Sequence, residues 1–199
     1  MTTMARLNDF MTRIDLSALS KYVEAHGKIY VYAKGDMLAR QGHVCRHIGI
    51  VKSGYFKYVT LNSKGQEVAT GFSFEGEVVT DYVHSFLCDR PSLTSIVAGC
   101  DAKVLCVPVD ELRRYLLVET PGFVADASSN LLQEAYRRYL NCLVKTPTER
   151  FRELVARFPG VTQNLPIQEI ASYLGVSRRQ LHRIREAENL SLIHISEPT

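Results

Sequence analysis

The sequence predicts an α+β chain in which an antiparallel β-roll is followed by a long helix and a C-terminal helix-turn-helix. Three observations support this fold class. Residues 28–109 consist of short apolar runs broken by turn residues about every eight to twelve positions, which is typical of antiparallel strands. From residue 110 onward, apolar residues recur at the three-to-four spacing of helices. Residues 167–189 combine two such helical stretches around a glycine.

The composition is that of an ordinary globular protein. The 199 residues are 46% hydrophobic and 23% charged, which excludes a disordered tail protein, a collagen-like chain and a disulfide scaffold. The polar N-terminal residues do not resemble a signal peptide, and no apolar run approaches the roughly 18 residues of a membrane span. We therefore expect a cytoplasmic protein with no membrane partner. None of the five cysteines forms a Cys-x-x-Cys pair, so free thiols are expected.

The first element is a helix over residues 7–26, with Gly27 where a helix would stop. Strand-like runs follow at 29–32, 37–39, 48–51, 55–59, 68–74, 95–97 and 104–109. Residues 62–65 read as a hairpin turn, and residues 79–87 as an irregular stretch or short helix. Six glycines are expected to form tight corners of the roll: Gly35, Gly42, Gly54, Gly65, Gly71 and Gly76.

A long helix is predicted from Phe123 to Lys145, after an interruption at Pro121 and Gly122. Small and mixed residues recur along it with heptad-like spacing, at Ala125, Ser128, Leu132, Ala135, Tyr139 and Cys142. This seam packs either on the roll of its own chain or on the same helix of a second subunit. The spacing alone does not distinguish the two.

The next helix is predicted over residues 147–158. Thr146 is a good cap, Pro147 suits the first helical position, and Glu149 completes a capping box. Pro159 and Gly160 end this helix. The boundary marks the beginning of a small helical domain.

Residues 167–189 are the strongest motif. A first helix over residues 167–174 is followed by Gly175, where a tight turn needs a residue without a side chain. Ser177 is a good cap for a second helix, which buries Leu181 and Ile184. This spacing fits a helix-turn-helix.

The outer face of that second helix is basic. At 100° per residue, Arg179, His182, Arg183 and Glu186 point away from the Leu181 and Ile184 side, and Arg178 and Gln180 flank it. Residues 177–185 hold four arginines and no acid, and residues 145–189 hold eight Lys or Arg against five Asp or Glu. Such a face contacts phosphate, and Arg also pairs with guanine in the major groove. The alternative is a solvated basic surface.

Taken together, these elements resemble the Crp/Fnr family of bacterial transcription regulators over nearly the whole chain to Asn189. The matching stretches of the roll are residues 34–36, 41–42, 50–54 and 74–77, and residues 165–185 are the best match. The resemblance implies a cyclic-nucleotide-binding-type sensor roll, a homodimer formed through the long helix, and a recognition helix over residues 177–188 in the major groove. It also implies double-stranded DNA and RNA polymerase as partners. The implied DNA-binding residues are Ser177, Arg178, Arg179, His182 and Arg183.

The resemblance also places an effector pocket in the roll. Members of the family that bind cyclic AMP carry a Gly-Glu pair for the ribose and, about ten residues later, an arginine for the cyclic phosphate. Gly76 and Glu77 match the pair, but the arginine position falls on Ser92, followed by Leu93. The implied effector residues are Gly76, Glu77, Ser92, Thr94 and Ser128. Because Ser92 carries no charge, cyclic AMP is not the expected effector, and no cofactor is assigned.

The predicted domains are a sensor roll over residues 1–120, a dimerisation helix over 121–146 and a DNA-binding domain over 147–189. Residues 190–199 do not fit the family pattern of a winged helix-turn-helix, and they resemble the translated read-through of a sequencing-library adapter. We expect them to be a non-native tail that replaces the wing, the gene being truncated near Asn189. The alternative is a divergent native tail.

Two other function classes were weighed. A cupin-like metal-dependent enzyme would use His43 and His47, which lie four residues apart, although metal ligands in such rolls usually lie closer together. A ligand-binding module without a role on DNA is the other alternative. The chain has no Gly-x-Ser-x-Gly elbow, no phosphate-binding Gly-Lys-Ser loop and no His-Glu-x-x-His motif. We therefore predict a DNA-binding regulator that is not an enzyme.

Overall fold

The computed structural model describes residues 7–195, with side chains described up to Glu188. Within this part, the chain divides into two compact units. One comprises residues 10–134, and the other comprises residues 135–195 together with residues 7–9. The division falls inside the long helix, whose two halves therefore belong to different units.

Eight strands and seven α-helices follow one another along the described chain. The strands are β1 (Lys28–Tyr32), β2 (Met37–Ala39), β3 (His47–Ser53), β4 (Tyr55–Leu61), β5 (Glu67–Phe74), β6 (Val78–Val79), β7 (Ser95–Ala98) and β8 (Ala102–Pro108). The helices are α1 (Ser17–His26), α2 (Val109–Glu119), α3 (Phe123–Val144), α4 (Pro147–Arg157), α5 (Val161–Asn164), α6 (Ile167–Tyr173) and α7 (Arg178–Ile195). The predicted order of roll, long helix and helix-turn-helix is confirmed.

The strands form two four-stranded antiparallel sheets, in the orders β1-β8-β3-β6 and β2-β7-β4-β5. Large apolar residues from both sheets meet between them, and Phe56, Val51 and Ile96 are fully buried there. A second core lies between the first sheet and the helices of the same unit, where α1 contributes Leu19, α2 contributes Leu112 and α3 contributes Phe123. This second core holds the beginning of α3 against the roll.

Five of the six predicted glycine corners have the left-handed backbone that favours glycine, at positions 35, 42, 54, 65 and 76. Gly71 does not. It pairs with Tyr58 inside β5, next to the point where the pairing with β4 shifts register. Gly71 therefore marks an irregularity within a strand and not a corner of the roll. Gly27 ends α1 for a different reason, since a Cβ there would lie 2.4 Å from the Val23 carbonyl oxygen.

The N-terminal helix is shorter than predicted. Residues 9–13 form a 3-10 turn, and α1 begins only at Ser17. The stretch over residues 79–87 resolves into the short strand β6 and a single π-helical turn, Tyr82–Phe86. The carboxylate of Asp81 caps this turn, since it accepts hydrogen bonds from the His84 amide and the Ser85 hydroxyl.

The second unit is held together by α4. The predicted capping box is confirmed, since the Thr146 hydroxyl accepts from the Glu149 amide and the Glu149 carboxylate accepts from the Thr146 amide. Glu153 of α4 accepts hydrogen bonds from three side chains of α3 and its end, those of Arg137, Asn141 and Lys145. Burial alone would raise the pKa of Glu153, but the bond from Lys145 and the charge of Arg137 hold it below its ordinary value.

The predicted seam of α3 is largely open in this chain. Ala125, Leu132, Ala135, Tyr139 and Cys142 are exposed. The residues that α3 buries in its own unit are instead Phe123 and Ala127. Ser128 is the seam residue that contacts the roll, through Tyr82, and the other five seam residues are open to solvent.

Helix α7 runs to Ile195, so its backbone remains helical over the first part of the predicted non-native tail, where no helix was expected. Residues 196–199 of that tail lie outside the described residues. Among residues 7–195, every helix is too short or too polar to cross a bilayer. All five cysteines are free thiols, but only Cys45 and Cys106 are buried.

Candidate functional site

The first candidate site is the helix-turn-helix of α6 and α7. Gly175 takes a φ of +69°, and the turn closes when the amide of Val176 donates to the Ala171 carbonyl at 2.9 Å. The hydroxyl of Ser177 accepts from the Gln180 amide at 3.1 Å and so caps α7. Leu181 and Ala171 are buried where the two helices cross. The sequence predicted each of these roles.

The outer face of α7 is open to solvent at its beginning. Arg178, Arg179, His182 and Arg183 are all exposed, as the rotation along the helix predicted. No hydrogen bond or ion pair joins these side chains to another described residue. Ser177, the fifth predicted DNA-binding residue, is also exposed, although its hydroxyl serves as the cap. Four adjacent cationic or titratable side chains thus lie together on one face of α7.

Two arginines of α4 hold the helix-turn-helix in place. Arg152 forms a two-point ion pair with Glu188 of α7, with N–O distances of 2.7 and 2.9 Å. Arg150 donates to the Leu174 carbonyl at the end of α6 and to the Lys145 carbonyl at the end of α3. Arg152 thus connects α7 to α4, and Arg150 connects the end of α6 to α4. The sequence did not predict them, because nothing in the spacing connects α4 with positions 174 and 188.

The second candidate site is the predicted effector pocket, whose five predicted residues lie in two loops of the roll and on α3. Gly76 and Glu77 form the turn between β5 and β6, with a φ of +81° at Gly76. Ser92 and Thr94 lie in the loop that precedes β7. We refer to residues 76–95 as the cassette. Ser128 lies apart from them in sequence on α3, half-buried and bonded to Tyr82.

Two buried polar side chains of the cassette, and the Tyr58 side chain that is bonded to it, have hydrogen-bond partners within the chain. The buried carboxylate of Glu77 accepts from the Phe74 amide at 3.0 Å. The buried hydroxyl of Ser92 donates to the Thr94 carbonyl at 2.7 Å. The hydroxyl of Tyr58 lies 3.2 Å from both the Ser73 hydroxyl and the Thr80 carbonyl, and burial raises the pKa of Tyr58 to about 12.

The charges of the cassette bear on whether it could hold a cyclic phosphate. A buried phosphate needs a cation or several free N–H donors, because an unpaired buried charge is strongly unfavourable. Glu77, the buried ionisable side chain of the cassette, stands at the position that the resemblance assigns to the ribose, and it supplies no positive charge. The one Lys or Arg of the cassette, Arg90, is exposed.

The two histidines considered as metal ligands are engaged separately. His43 is exposed, with Nδ1 3.3 Å from the Gln41 carbonyl oxygen, and the His47 ring packs on Tyr30 at a tilt of 51°, with ring centres 5.3 Å apart. In the part of the chain that the structure describes, no group of three His, Cys, Asp or Glu side chains could hold a metal ion. No observation therefore favours the metal-dependent enzyme.

Sequence comparison identifies the roll. Residues 30–118 match the family model of the cyclic nucleotide-binding domain. This stretch begins in β1 and ends in α2, and it includes the whole cassette. No curated protein matches the chain in sequence.

Solved structures share the fold of the chain at low sequence identity. FixK2 from Bradyrhizobium japonicum is 19% identical with a TM-score of 0.68, over 85% of each chain. The c-di-GMP-responsive global regulator CLP from Xanthomonas campestris is 15% identical with a TM-score of 0.65, over 89% of this chain and 93% of that one. A transcriptional regulator of the Crp/Fnr family from Eubacterium rectale is 15% identical with a TM-score of 0.63, over 90% and 88%. Residues 30–118 therefore match the cyclic nucleotide-binding domain family, and the chain shares the fold of these solved structures.

Proposed function

We propose that this chain is a sequence-specific DNA-binding transcription regulator that places the beginning of α7 in the major groove. The observation that carries the proposal is the exposed basic face of α7 on a closed helix-turn-helix. The N-terminal residues of the second helix are those that reach base edges in this motif. Arg178, Arg179 and Arg183 supply charge for phosphates and paired donors for guanine.

The regulator acts as a homodimer formed along α3. Exposed apolar side chains follow one face of this helix at intervals of four, three and four residues, and they are Leu132, Tyr136, Tyr139 and Leu143. We call this face the α3 stripe. It shares Leu132 and Tyr139 with the seam predicted from the sequence. A heptad-spaced apolar stripe is complementary to a second copy of itself, which favours a symmetric dimer. Such a dimer reads two half-sites about one helical turn apart.

The roll is the sensor of this regulator, with residues 1–120 as the sensor region, 121–146 as the dimerisation helix and 147–189 as the DNA-binding region. Cyclic AMP is not the expected effector, because Ser92 stands at the position of the phosphate-binding arginine. We assign the chain no catalytic role. By its resemblance to the family, it acts in the cytoplasm and has RNA polymerase as a further partner.

Substitution of the exposed arginines tests the DNA proposal. The full chain is first used to select fragments from a genomic DNA pool, and the affinity for a selected site is measured by fluorescence anisotropy. Arg178→Ala and Arg183→Ala are each expected to weaken binding by about 1–3 kcal/mol and to relax the sequence preference, because each removes direct contacts to bases or phosphates.

Arg40→Ala is the matched control, since Arg40 is an exposed arginine on the roll. It removes the same charge away from α7 and is expected to leave affinity unchanged at fixed salt. The proposal fails if the parent selects no sites, or if both α7 variants bind the selected sites as tightly as the parent.

A direct binding measurement tests the cassette. Titration with cyclic AMP is expected to show no saturable binding to the parent chain in the micromolar range. Ser92→Arg places a cation where the phosphate would lie, and it is expected to raise the affinity by about tenfold to a hundredfold, as a charge-assisted hydrogen bond does.

Leu93→Arg is the control for this gain, because Leu93 is the adjacent residue and is exposed. It adds the same charge outside the pocket and is expected to gain nothing. Micromolar binding by the parent, or equal affinities of the two arginine variants, contradicts the assignment of Ser92 as the determinant.

A further inference from the structure

The cassette is joined to α3 by the side chain of Tyr82. This residue begins the π-helical turn Tyr82–Phe86, and its hydroxyl donates to the Val124 carbonyl at 3.1 Å. The same oxygen lies 3.1 Å from the Ser128 hydroxyl. Because the proton of Tyr82 is used on Val124, the Ser128 hydroxyl is the donor of the second bond. One tyrosine thus contacts two successive turns of α3.

The other end of this connection is anchored in the core of the roll. The ring of Tyr82 stacks on Phe86 at a centroid distance of 5.2 Å, and Phe86 is fully buried. Arg113 of α2 lies over the same Phe86 ring and donates to the Ser85 carbonyl at 3.0 Å. A displacement of the π-helical turn would therefore displace Tyr82 as well. π-helical turns of this kind are rare and occur frequently at functional sites.

Burial also favours the protonated form of Tyr82, whose hydroxyl can donate a hydrogen bond. The half-buried position raises the pKa of Tyr82 above its ordinary value of 10.0, although the bond from Ser128 opposes this. The hydroxyl is thus protonated at neutral pH, and its bond to Val124 persists. Ser128, one of the predicted effector residues, is the partner of this tyrosine on α3.

We propose that Tyr82 is a positioning residue that transmits the position of the cassette to α3 and thereby sets the affinity of the regulator for DNA. This inference rests on the proposed function. Helix α3 carries the α3 stripe and leads directly to the unit that contains the helix-turn-helix. When only a fraction of the protein molecules is in the arrangement that binds DNA, the apparent affinity for DNA is reduced by that fraction. Loss of the Tyr82 contacts frees α3 and lowers the competent fraction.

Tyr82→Phe in the full chain tests the proposal, because it removes the hydroxyl and keeps the ring stacked on Phe86. Tyr58→Phe is the matched control. It also removes a tyrosine hydroxyl with hydrogen bonds inside the roll, but those bonds go to Ser73 and Thr80 and not to α3. Two quantities are measured for each variant: amide hydrogen exchange over residues 124–132, and affinity for a selected DNA site.

Tyr82→Phe is expected to accelerate exchange over residues 124–132 by about tenfold and to weaken DNA binding by about fivefold to tenfold, within the usual range of coupling between sites. Tyr58→Phe is expected to lower the melting temperature of the roll without either effect. If the two tyrosine hydroxyls contributed only to the stability of the roll, the two variants would have the same affinity for DNA.

Each outcome has one meaning. The proposal is overturned if Tyr82→Phe binds DNA within twofold of the parent, or if Tyr58→Phe loses as much affinity. It is also overturned if exchange over residues 124–132 is unchanged in Tyr82→Phe. If the parent selects no DNA site, the proposed function fails, and the exchange measurement still decides whether Tyr82 positions α3.

Discussion

A chain that carries both Leu132→Glu and Tyr139→Glu is expected to sediment as a monomer at concentrations at which the parent is a dimer. The two residues are 70% and 59% exposed within the chain, and both lie on the α3 stripe. A symmetric dimer would bury four carboxylates without partners, each of which is strongly unfavourable. We expect the dissociation constant of the dimer to rise by at least about a thousandfold, equivalent to roughly 4 kcal/mol. Sedimentation equilibrium measures it.

Gln133→Glu is the control for charge on the same helix. Gln133 is exposed and lies one residue from Leu132, about 100° away around the axis. It is expected to leave the dimer intact. A dimer of normal affinity in the doubly substituted chain would show that the α3 stripe is not the interface, as would a parent chain that is monomeric in solution.

Replacement of Gly49 by alanine is expected to lower the free energy of unfolding by about 3 kcal/mol, as overpacking of a filled core does. Gly49 lies in β3, which has strands on both sides. A Cβ at this position would lie 2.5 Å from the Leu105 carbonyl oxygen and 2.7 Å from the Cys106 sulfur. The carbonyl belongs to the paired strand β8 and cannot move without breaking the pairing.

Gly71→Ala provides the comparison in the other sheet. A Cβ there would make an ordinary contact of 3.6 Å with the Tyr58 ring, and the backbone is not left-handed. This substitution is expected to be neutral or slightly stabilising, because alanine restricts the unfolded chain. Urea denaturation of both variants measures the difference. Equal midpoints would contradict the reading of Gly49 as a position without room for a side chain.

The helix-turn-helix was the most predictable part of the molecule. Its signals are local, since a cap at Ser177, a turn at Gly175 and the buried pair Leu181 and Ile184 all lie within a few residues of one another. Local backbone preferences and helical spacing are sufficient to place such elements. The capping box at Thr146 was predictable for the same reason.

The contact between Tyr82 and Ser128 was less predictable. The sequence predicted Glu77, Ser92 and Ser128 as effector residues, but it did not indicate that Ser128 would be bonded to Tyr82. These two residues are separated by 46 positions. Neither motif spacing nor periodicity carries information about a contact between a loop and a distant helix. Glu153, which joins α4 to the end of α3, was missed for a similar reason.

The sequence by itself determined the order of the elements, the glycine turns with left-handed backbone and the basic face of α7, because these depend on preferences and periodicities of adjacent residues. Only the tertiary structure decided which side of α3 is buried, since that depends on where Phe123 and Ala127 meet the core of the roll. It also decided that Gly71 is a strand residue and that Gly49 has no space for a methyl group. Such properties depend on the packing of segments that are far apart in the chain, and the spacing of residues along the sequence does not indicate how those segments pack.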